Sequence, residues 1–307
     1  MIAFQFPGQG SQMVGMGAAL ADSYREARDV FDEADDVLGF SLSTLCWEGP
    51  QEKLTATENA QPALLTHSTA AARVLAARGV MPELAAGHSL GEFTAHVAAG
   101  SFTLADALRL VRARGEAMAT AGRSQPGAMA AVLGLADDEV AALCAAVRKP
   151  DEVLEPANYN APGQIVISGS VAAVHRAVER AQAHGARRAI ALLVSGAFHS
   201  TLMAAAATDL AAALEATAIL PARFPVVANV DARAVQEPEA IRGRLLAQLT
   251  VPVRWVACVE ALRDLGARRF VEPGPGAVLT GLLRRIDRGL EGRAVGGPGE
   301  LEVEVAA

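Results

Sequence analysis

The segment ELAAGHSLGEFTAHVAAG (residues 83–100) places a short apolar run, a glycine-flanked serine and a helical pattern in direct succession. Glu83–Gly87 is typical of a buried strand, and Gly91–Ala99 is typical of a helix that ends at Gly100. The residues GHSLG (87–91) have the form G-x-S-x-G. Between a strand and a helix this form predicts a nucleophile elbow, because its glycines permit a tight turn that lifts the serine hydroxyl clear of the backbone.

The start of the predicted helix gives this serine an electrostatic partner. The N-terminal N–H groups and the positive end of the helix dipole point toward Ser89, and the Leu90 N–H is placed to bind a developing oxyanion. The alternative is a chance turn, since G-x-S-x-G alone is a common pattern. The strand before it and the helix after it favour the functional interpretation.

Strands and helices alternate on both sides of this segment. Ile2–Phe6 predicts a first buried strand, and a long helix is expected to follow Gln61-Pro62. This alternation indicates an α/β layered domain. At the other end of the chain, residues 296–307 are rich in Gly and Pro and then alternate Glu with Val, so we expect a tail of uncertain order.

The pattern changes after Arg123. A linker is followed by a β-α-β-α-β run, which predicts a small inserted domain. Within this run we expect a loop between the helix at Asp137–Val147 and the strand at Gln164–Ser168. The α/β pattern then resumes near Ser200.

Composition excludes several classes of protein. The 307 residues are 51% hydrophobic and carry a net charge of −7, which argues against a disordered chain and against a nucleic-acid-binding protein with a basic face. Cys46, Cys144 and Cys258 are far apart, and we expect buried reduced thiols. No CxxC or HExxH pattern indicates a metal site. Without a long apolar stretch or a signal-peptide pattern at the N-terminus, we expect a soluble, cytoplasmic protein with no membrane or nucleic-acid partner.

A serine nucleophile requires a base, and one of the six histidines is placed to supply it. His199 lies in SGAFHS (195–200), a loop of small residues between a predicted strand and a predicted helix, where catalytic side chains often collect. His88 is adjacent to Ser89, and its side chain should diverge from that of the serine. The other histidines are expected to be structural or solvated: His67, His96, His175 and His184.

Two further features gain no firm function from their pattern. The loop FPGQGSQ (6–12) lacks the spacing of either nucleotide-binding glycine motif, although its backbone N–H groups would suit a second oxyanion donor. Arg114 shares a predicted helix with Arg109, and the pattern alone favours a solvated basic face.

Taken together, these residues resemble the malonyl-CoA:acyl carrier protein transacylases, including the discrete acyltransferases that serve polyketide synthases. The matching segments occur in order over about residues 1–285: FPGQGSQ (6–12), GHSLGE (87–92), RARGEAM (112–118), GAMAAVLGL (127–135), ANYNAPGQIVISG (157–169), GAFHS (196–200), QLTVPVRW (248–255) and EPGPGAVLTGLL (272–283). The resemblance implies a large α/β hydrolase-like domain, residues 1–124 and 195–307, with an inserted small ferredoxin-like domain, residues 125–194.

The resemblance also implies the catalytic roles. Ser89 matches the acylated nucleophile and His199 its general base. A backbone carbonyl near Gln248, rather than a carboxylate, would orient the histidine, so we predict a dyad. The backbone N–H groups of Gln9 and Leu90 match the oxyanion hole.

Substrate contacts follow from the same resemblance. Arg114 matches the arginine that pairs with the free carboxylate of a malonyl group, a pairing that a desolvated carboxylate needs. Phe198 would crowd a branched extender unit, since methylmalonyl-selective members commonly carry a small Ser there. The other residues expected to contact the substrate are His88, Gln248, Asn158 and Asn160, with the two asparagines lining the cleft for the pantetheine arm.

The implied reaction is ping-pong transfer of a malonyl group from malonyl-CoA to the phosphopantetheine thiol of a holo acyl carrier protein. No metal or redox cofactor is expected, because the CoA thioester is itself a substrate. Two alternatives remain at this point. One is an acyl hydrolase of the same superfamily, in which the arginine is typically replaced. The other is a catalytically silent carrier-binding protein, which intact Ser89, His199 and Arg114 argue against.

Overall fold

The computed structural model describes residues 1–306. The strands in chain order are β1 (Ile2–Phe6), β2 (Leu84–Gly87), β3 (Gly127–Leu133), β4 (Leu154–Ala161), β5 (Gln164–Ser170), β6 (Arg188–Ala191), β7 (Val226–Val227), β8 (Ala234–Val235), β9 (Arg269–Pro273) and β10 (Glu291–Val295). The α-helices are α1 (Ala18–Ser23), α2 (Arg25–Leu38), α3 (Leu42–Glu48), α4 (Gln51–Thr55), α5 (Thr57–Ala77), α6 (Leu90–Ala98), α7 (Leu104–Ser124), α8 (Asp137–Val147), α9 (Val171–Arg180), α10 (Ala204–Ala216), α11 (Pro238–Ala247), α12 (Trp255–Asp264), α13 (Val278–Ile286) and α14 (Pro298–Val305).

The larger of the two sheets within residues 1–306 has the strand order β10-β9-β1-β2-β7-β8. Its neighbours are parallel except for the β7–β8 pair. Helices cover both faces, so β1 and β2 are almost entirely apolar and buried, as expected for central parallel strands. The register pairs Phe6 with Gly87, which brings the loop after β1 and the turn after β2 to one edge of the sheet. Open α/β sheets bind ligands at this carboxyl edge.

The smaller sheet is antiparallel, with the order β4-β5-β3-β6, and α8 and α9 pack against it. Its elements follow one another as β-α-β-β-α-β, the ferredoxin-like arrangement. The predicted fold class, an α/β domain with a small inserted domain, is confirmed. The exact domain boundaries stay a prediction.

The loop expected between Asp137–Val147 and Gln164–Ser168 contains a strand, β4, so that prediction was wrong. The polar residues and Pro156 of β4 gave no strand signal. An edge strand tolerates proline, and its pairing with β5 is interrupted by two register shifts. A parallel bridge from Asn158 to Val253 ties this edge to the large domain.

The prediction of a tail of uncertain order at residues 296–307 was also wrong for residues 296–306, the part that the structure describes. Residues 298–305 form α14, with Leu301 buried. Glu300 accepts hydrogen bonds from the Gly296 and Gly297 N–H groups at the start of the helix, and Glu304 pairs with Arg269 at 2.6 Å. These contacts stabilise a helix at residues where the Glu/Val alternation did not predict one. Residue 307 lies outside the described residues.

The long helix α5 begins at Thr57, before the expected start after Gln61-Pro62, and holds Pro62 in its interior. Proline cannot donate to the carbonyl four residues earlier. That carbonyl, of Glu58, instead accepts a hydrogen bond from Arg112 on α7 at 3.0 Å. The two helices also pack closely at Gly115, where an added Cβ would lie 2.8 Å from Glu58 Cα. This crossing sets residues of α5 and α7 side by side beneath the carboxyl edge of the sheet.

Cys46, Cys144 and Cys258 are buried and unpaired with one another. Among residues 1–306, no helix combines the length and apolar character needed to cross a membrane. His175 and His184 are exposed on the small domain.

His67 and His96 are buried. His67 Nε2 lies 2.9 Å from the carbonyl oxygen of Gly296, whereas neither ring nitrogen of His96 has a partner in the part of the chain that the structure describes. Burial lowers the pKa of His96 to about 3. The folded protein therefore holds this ring neutral at a pH where the unfolded chain protonates it.

We predict that replacing His96 with Leu weakens the acid sensitivity of the fold. Below about pH 6.5 the unfolded wild-type chain binds a proton at this position that the folded chain excludes, which lowers the free energy of unfolding by about 1.4 kcal/mol per pH unit. Urea unfolding of His96→Leu between neutral and mildly acidic pH should show a correspondingly smaller slope. Exposed His175→Leu is the matched control and should keep the wild-type slope. Equal slopes for His96→Leu and wild type would contradict the argument.

Candidate active site

The turn after β2 forces Ser89 into a strained backbone conformation. Its φ is 52° and its ψ is −107°, a combination that non-glycine residues seldom adopt. The flanking glycines leave no room for side chains. A Cβ on Gly87 would lie 1.9 Å from the Gly91 carbonyl carbon, and a Cβ on Gly91 would lie 2.0 Å from the Phe6 oxygen. The hydroxyl is thereby raised into a cleft at the start of α6.

His199, the predicted base, faces this hydroxyl. Its Nε2 lies 2.7 Å from Ser89 Oγ, and its Nδ1 lies 2.9 Å from the main-chain oxygen of Gln248. Because a carbonyl oxygen only accepts, Nδ1 carries the proton and Nε2 is free to accept the serine proton. His199 also has a positive φ of 56°, so its loop is held in an uncommon conformation at the point where it meets the serine.

The surroundings of His199 keep the ring neutral. Burial, followed by the positive charge of Arg114, lowers the pKa of His199 to about 3. The main-chain oxygen of Gln248 opposes this shift, because it accepts a hydrogen bond from Nδ1–H of His199. A neutral imidazole is the form that can act as a general base.

Arg114 does not lie on a solvated face, so that interpretation of its pattern was wrong. Its side chain is 1% exposed, whereas Arg109 on the same helix is exposed. Nη1 donates to Gln61 Oε1 at 2.8 Å. Nη2 donates to Gln248 Oε1 at 3.0 Å and to Ser89 Oγ at 3.2 Å. Helical periodicity fails here because α7 is covered on this side by α5 and by the elbow.

The guanidinium remains charged despite its burial. Burial lowers the pKa of Arg114 to about 10, and the negative charge of Glu92 raises it in opposition. The Phe93 ring adds a cation–π contact, with its centroid 5.3 Å from Arg114 Cζ. Nε–H is buried and has no hydrogen-bond partner among the described residues. A buried cation that has an unpaired N–H donor favours the binding of an anion beside it.

A polar cluster behind the elbow was missed by sequence reasoning. Asn229 Oδ1 accepts from the Ser89 N–H at 2.8 Å, and Asn229 Nδ2 donates to the Gly87 oxygen at 2.7 Å. Glu92 is fully buried and accepts from Asn229 N–H and from Gln248 Nε2. Glu92 was visible in the sequence only as the last residue of GHSLGE, and Asn229 follows a strand of two residues.

The two predicted oxyanion donors come from separate segments of the chain, the start of α6 and the loop after β1. Leu90 is the first residue of α6, so its N–H has no carbonyl within the helix to bond. Gln9 lies in the glycine loop after β1 and lines the same cavity as Ser89. That loop is pressed against the elbow, since a Cβ on Gly8 would lie 2.4 Å from the His88 oxygen. The Gln9 side chain is turned away to donate to Thr57 Oγ1 at 3.2 Å.

The remaining predicted site residues meet at the boundary between the two domains. His88 diverges from Ser89, as expected, and its Nε2 lies 2.8 Å from Asn160 Oδ1 while its ring packs on Trp255. Asn158 is 6% exposed and lines the cavity together with Phe198. The bridge from β4 to Val253 holds these asparagines near the elbow.

Ser89 and His199 open into a cavity of about 330 Å³. Residues of both domains line it: Gln9, Gly10, Gln12, Thr55, His88, Ser89, Met118, Met129, Asn158, Leu192, Leu193, Val194, Phe198 and His199. Within residues 1–306, no group of His, Cys, Asp or Glu side chains is arranged to hold a metal ion. The site therefore offers a serine nucleophile, a neutral base and an adjacent buried cation.

Comparisons with known proteins agree on one family. The acyl transferase domain model matches residues 3–294. A malonyl CoA-acyl carrier protein transacylase of Bacillus subtilis is 45% identical over 304 residues, which cover 99% of this chain and 96% of the relative. A malonyl CoA-acyl carrier protein transacylase of Staphylococcus aureus is 42% identical over 93% of this chain and 92% of the relative.

Solved structures show the same similarity. An acyl carrier protein S-malonyltransferase from Vibrio cholerae superimposes with a TM-score of 0.95 at 44% identity, covering 99% of both chains. A malonyl-transacylase in complex with its type II PKS acyl-carrier protein, PlMCAT:AntF in the holo form, gives a TM-score of 0.96 at 43% identity, also with 99% coverage of each chain.

The charge state of the base gives a direct prediction. Because burial and Arg114 hold the pKa of His199 near 3, the ring should stay neutral, with its proton on Nδ1, from about pH 8 down to about pH 5. Nitrogen NMR of histidine-labelled protein, with His199→Gln used to assign the signals, measures both the tautomer and the charge. A protonation midpoint near the ordinary pKa of histidine would show that burial and Arg114 do not keep His199 neutral.

Proposed function

The chain belongs to the family of malonyl-CoA:acyl carrier protein transacylases, and from this premise we propose that it transfers the malonyl group of malonyl-CoA to the phosphopantetheine thiol of a holo acyl carrier protein. One observation carries the choice of acyl group: the Arg114 guanidinium is buried 3.2 Å from Ser89 Oγ. A short acyl chain bound to that oxygen and ending in a carboxylate reaches this cation. The partners are malonyl-CoA and the acyl carrier protein.

The first half-reaction acylates the serine. Ser89 Oγ attacks the thioester carbonyl carbon while His199 Nε2 accepts the hydroxyl proton. The carbonyl oxygen becomes the oxyanion of a tetrahedral intermediate. That intermediate collapses with cleavage of the carbon–sulfur bond, and His199 returns the proton to the departing CoA thiolate. The products are a malonyl-serine ester and free CoA.

The oxyanion is assigned to the backbone N–H groups of Leu90 and Gln9. The free N–H at the start of α6 supports the first assignment, and the close packing of the glycine loop on the elbow supports the second. Donors fixed by the backbone need no reorganisation when charge develops on the oxygen.

Arg114 supplies the selectivity for a dicarboxylic acyl group. A carboxylate in this buried position needs a partner, and a guanidinium can bond both of its oxygens. Nη2 can exchange its bond to Ser89 Oγ for the carboxylate once that oxygen is esterified, and Nε–H has no other hydrogen-bond partner among the described residues. A monocarboxylic acyl group such as acetyl leaves the buried cation unpaired, at a cost of roughly 2–5 kcal/mol.

The second half-reaction runs the same steps in reverse with a different thiol. His199 accepts the proton of the phosphopantetheine thiol, the sulfur attacks the ester carbonyl, and Ser89 leaves with the proton restored to its oxygen. Water is the competing acceptor. We assign His88, Asn158 and Asn160 to the wall that the pantetheine arm follows, since His88 and Asn158 line the cavity and Asn160 lies 2.8 Å from His88 Nε2.

Phe198 is proposed to limit the acyl group further. It is 6% exposed, lines the cavity and directly precedes His199. A methyl branch between the two malonyl carbonyls would meet this ring. We also place the reaction in the cytoplasm, where buried reduced thiols such as Cys46 are stable.

The transfer can be tested by intact-protein mass spectrometry of this chain incubated with malonyl-CoA and a holo acyl carrier protein. We expect a malonyl adduct on the chain before the carrier is added and malonyl-carrier afterwards. Ser89→Ala should form neither, because it removes the attacking oxygen. Free malonate with no malonyl-carrier would establish a hydrolase instead, and malonyl-carrier formation by Ser89→Ala would refute the acyl-enzyme.

The ion pair can be tested by changing Arg114 to Ala. The rate of Ser89 acylation by malonyl-CoA should fall about 30-fold or more, and acetyl-CoA should gain relative to malonyl-CoA, since loss of a buried charged partner costs 2 kcal/mol or more. Arg109→Ala, on the exposed side of the same helix, is the matched control and should keep wild-type selectivity. An unchanged malonyl-to-acetyl ratio in Arg114→Ala would show that Arg114 does not select the malonyl group.

A further inference from the structure

Glu92 is a buried carboxylate that the mechanism above does not use. It lies on α6, three residues after the nucleophile, with 0% exposure. One oxygen, Oε2, accepts from Gln248 Nε2 at 2.7 Å and from Asn229 N–H at 3.0 Å. The other, Oε1, has no hydrogen-bond partner in residues 1–306. A group this expensive to bury calls for a role.

The contact to Gln248 fixes which way round its carboxamide lies. An amide has a donating end and an accepting end, and its orientation follows from its neighbours. Glu92 Oε2 accepts whether or not the carboxyl is protonated, provided that any proton sits on Oε1. It therefore favours the orientation in which Nε2 faces Glu92. The main-chain oxygen of Ser89 favours the same orientation, because it accepts from the same Nε2 at 3.0 Å.

The other end of that carboxamide then faces Arg114. Gln248 Oε1 accepts from Arg114 Nη2 at 3.0 Å, and the same Nη2 reaches Ser89 Oγ. If the carboxamide were reversed, its NH₂ group would face a guanidinium that can only donate, and the two would separate. A shift of about 1 Å in such a group is enough to lose a large part of its effect on the reaction.

We propose that Glu92 is a positioning residue for malonyl selectivity, acting through the Gln248 carboxamide to hold the Arg114 guanidinium beside Ser89. This inference rests on the proposed transfer of a malonyl group. It assigns to Glu92 no contact with substrate. The acceptor oxygen, rather than the negative charge, is what the geometry requires.

Two substitutions separate the acceptor from the charge. Glu92→Met removes both while keeping the length of the side chain, whereas Glu92→Gln removes the charge and can still present an oxygen to Gln248 and Asn229. Glu272→Gln is the matched control. Glu272 is a fully buried carboxyl that accepts from the backbone N–H groups of Leu279 and Thr280, away from the elbow.

The measured quantity is the ratio of Ser89 acylation rates with malonyl-CoA and acetyl-CoA, read by intact-protein mass spectrometry. We expect Glu92→Met to lower this ratio by about tenfold to a hundredfold. Glu92→Gln should retain most of it, and Glu272→Gln should keep the wild-type ratio even if it unfolds at a lower temperature. A wild-type ratio in folded Glu92→Met, or an equal loss in Glu92→Gln, would overturn the proposal.

A double-mutant cycle tests whether the effect passes through Gln248 and covers the case in which Glu92→Met does not fold. Gln248→Met removes the carboxamide but keeps the main-chain oxygen that binds His199. It should lower the malonyl-to-acetyl ratio on its own, which is the result that still tests the relay if Glu92→Met does not fold, and adding Glu92→Met should lower it no further. Additive losses, or an unchanged ratio in Gln248→Met, would refute the relay. Failure of wild type to prefer malonyl-CoA would instead refute the proposed function.

Discussion

The Arg114 guanidinium is buried behind Ser89, and the arrangement of the surrounding residues follows from that burial. A charged side chain that is 1% exposed is tolerated only where neighbours satisfy it. Gln61 on α5 and Gln248 after α11 supply acceptors, and Phe93 supplies an aromatic face. These groups come from separate parts of the chain, so the fold must bring α5, α6 and α7 together before Arg114 can be held at Ser89.

The same cation also sets the chemistry of the base. Its charge, added to burial, keeps His199 neutral, and a neutral ring needs only a carbonyl oxygen to fix its tautomer. In the proposed mechanism, a dyad therefore suffices. A carboxylate in place of the Gln248 carbonyl would favour the charged imidazole and would compete for Arg114. Under that proposal, the same cation selects the acyl group and keeps His199 neutral.

The sequence predicted those parts of the molecule that local chemistry determines. The strand, turn and helix around Ser89 follow from residues 83–100 alone, and the family resemblance drawn from eight short segments is confirmed by the comparisons. Arg114 shows the limit of pattern, since helical spacing placed it on a solvated face and only its packing against α5 reveals its burial. Strand β4 and helix α14 were missed because edge pairing and docking against Arg269, rather than local propensity, stabilise them. Glu92 and Asn229 lie 137 positions apart in sequence, and local patterns do not predict that they contact each other.

A crystal structure of this chain after soaking with malonyl-CoA, in which Ser89 carries the malonyl ester, would show where the free carboxylate is bound. We expect the free carboxylate to lie about 2.7–2.9 Å from nitrogen atoms of Arg114, while Gln61 and Gln248 keep their bonds to the guanidinium. A malonyl group whose carboxylate points toward the cavity mouth, with Arg114 still unliganded behind Ser89, would contradict this expectation.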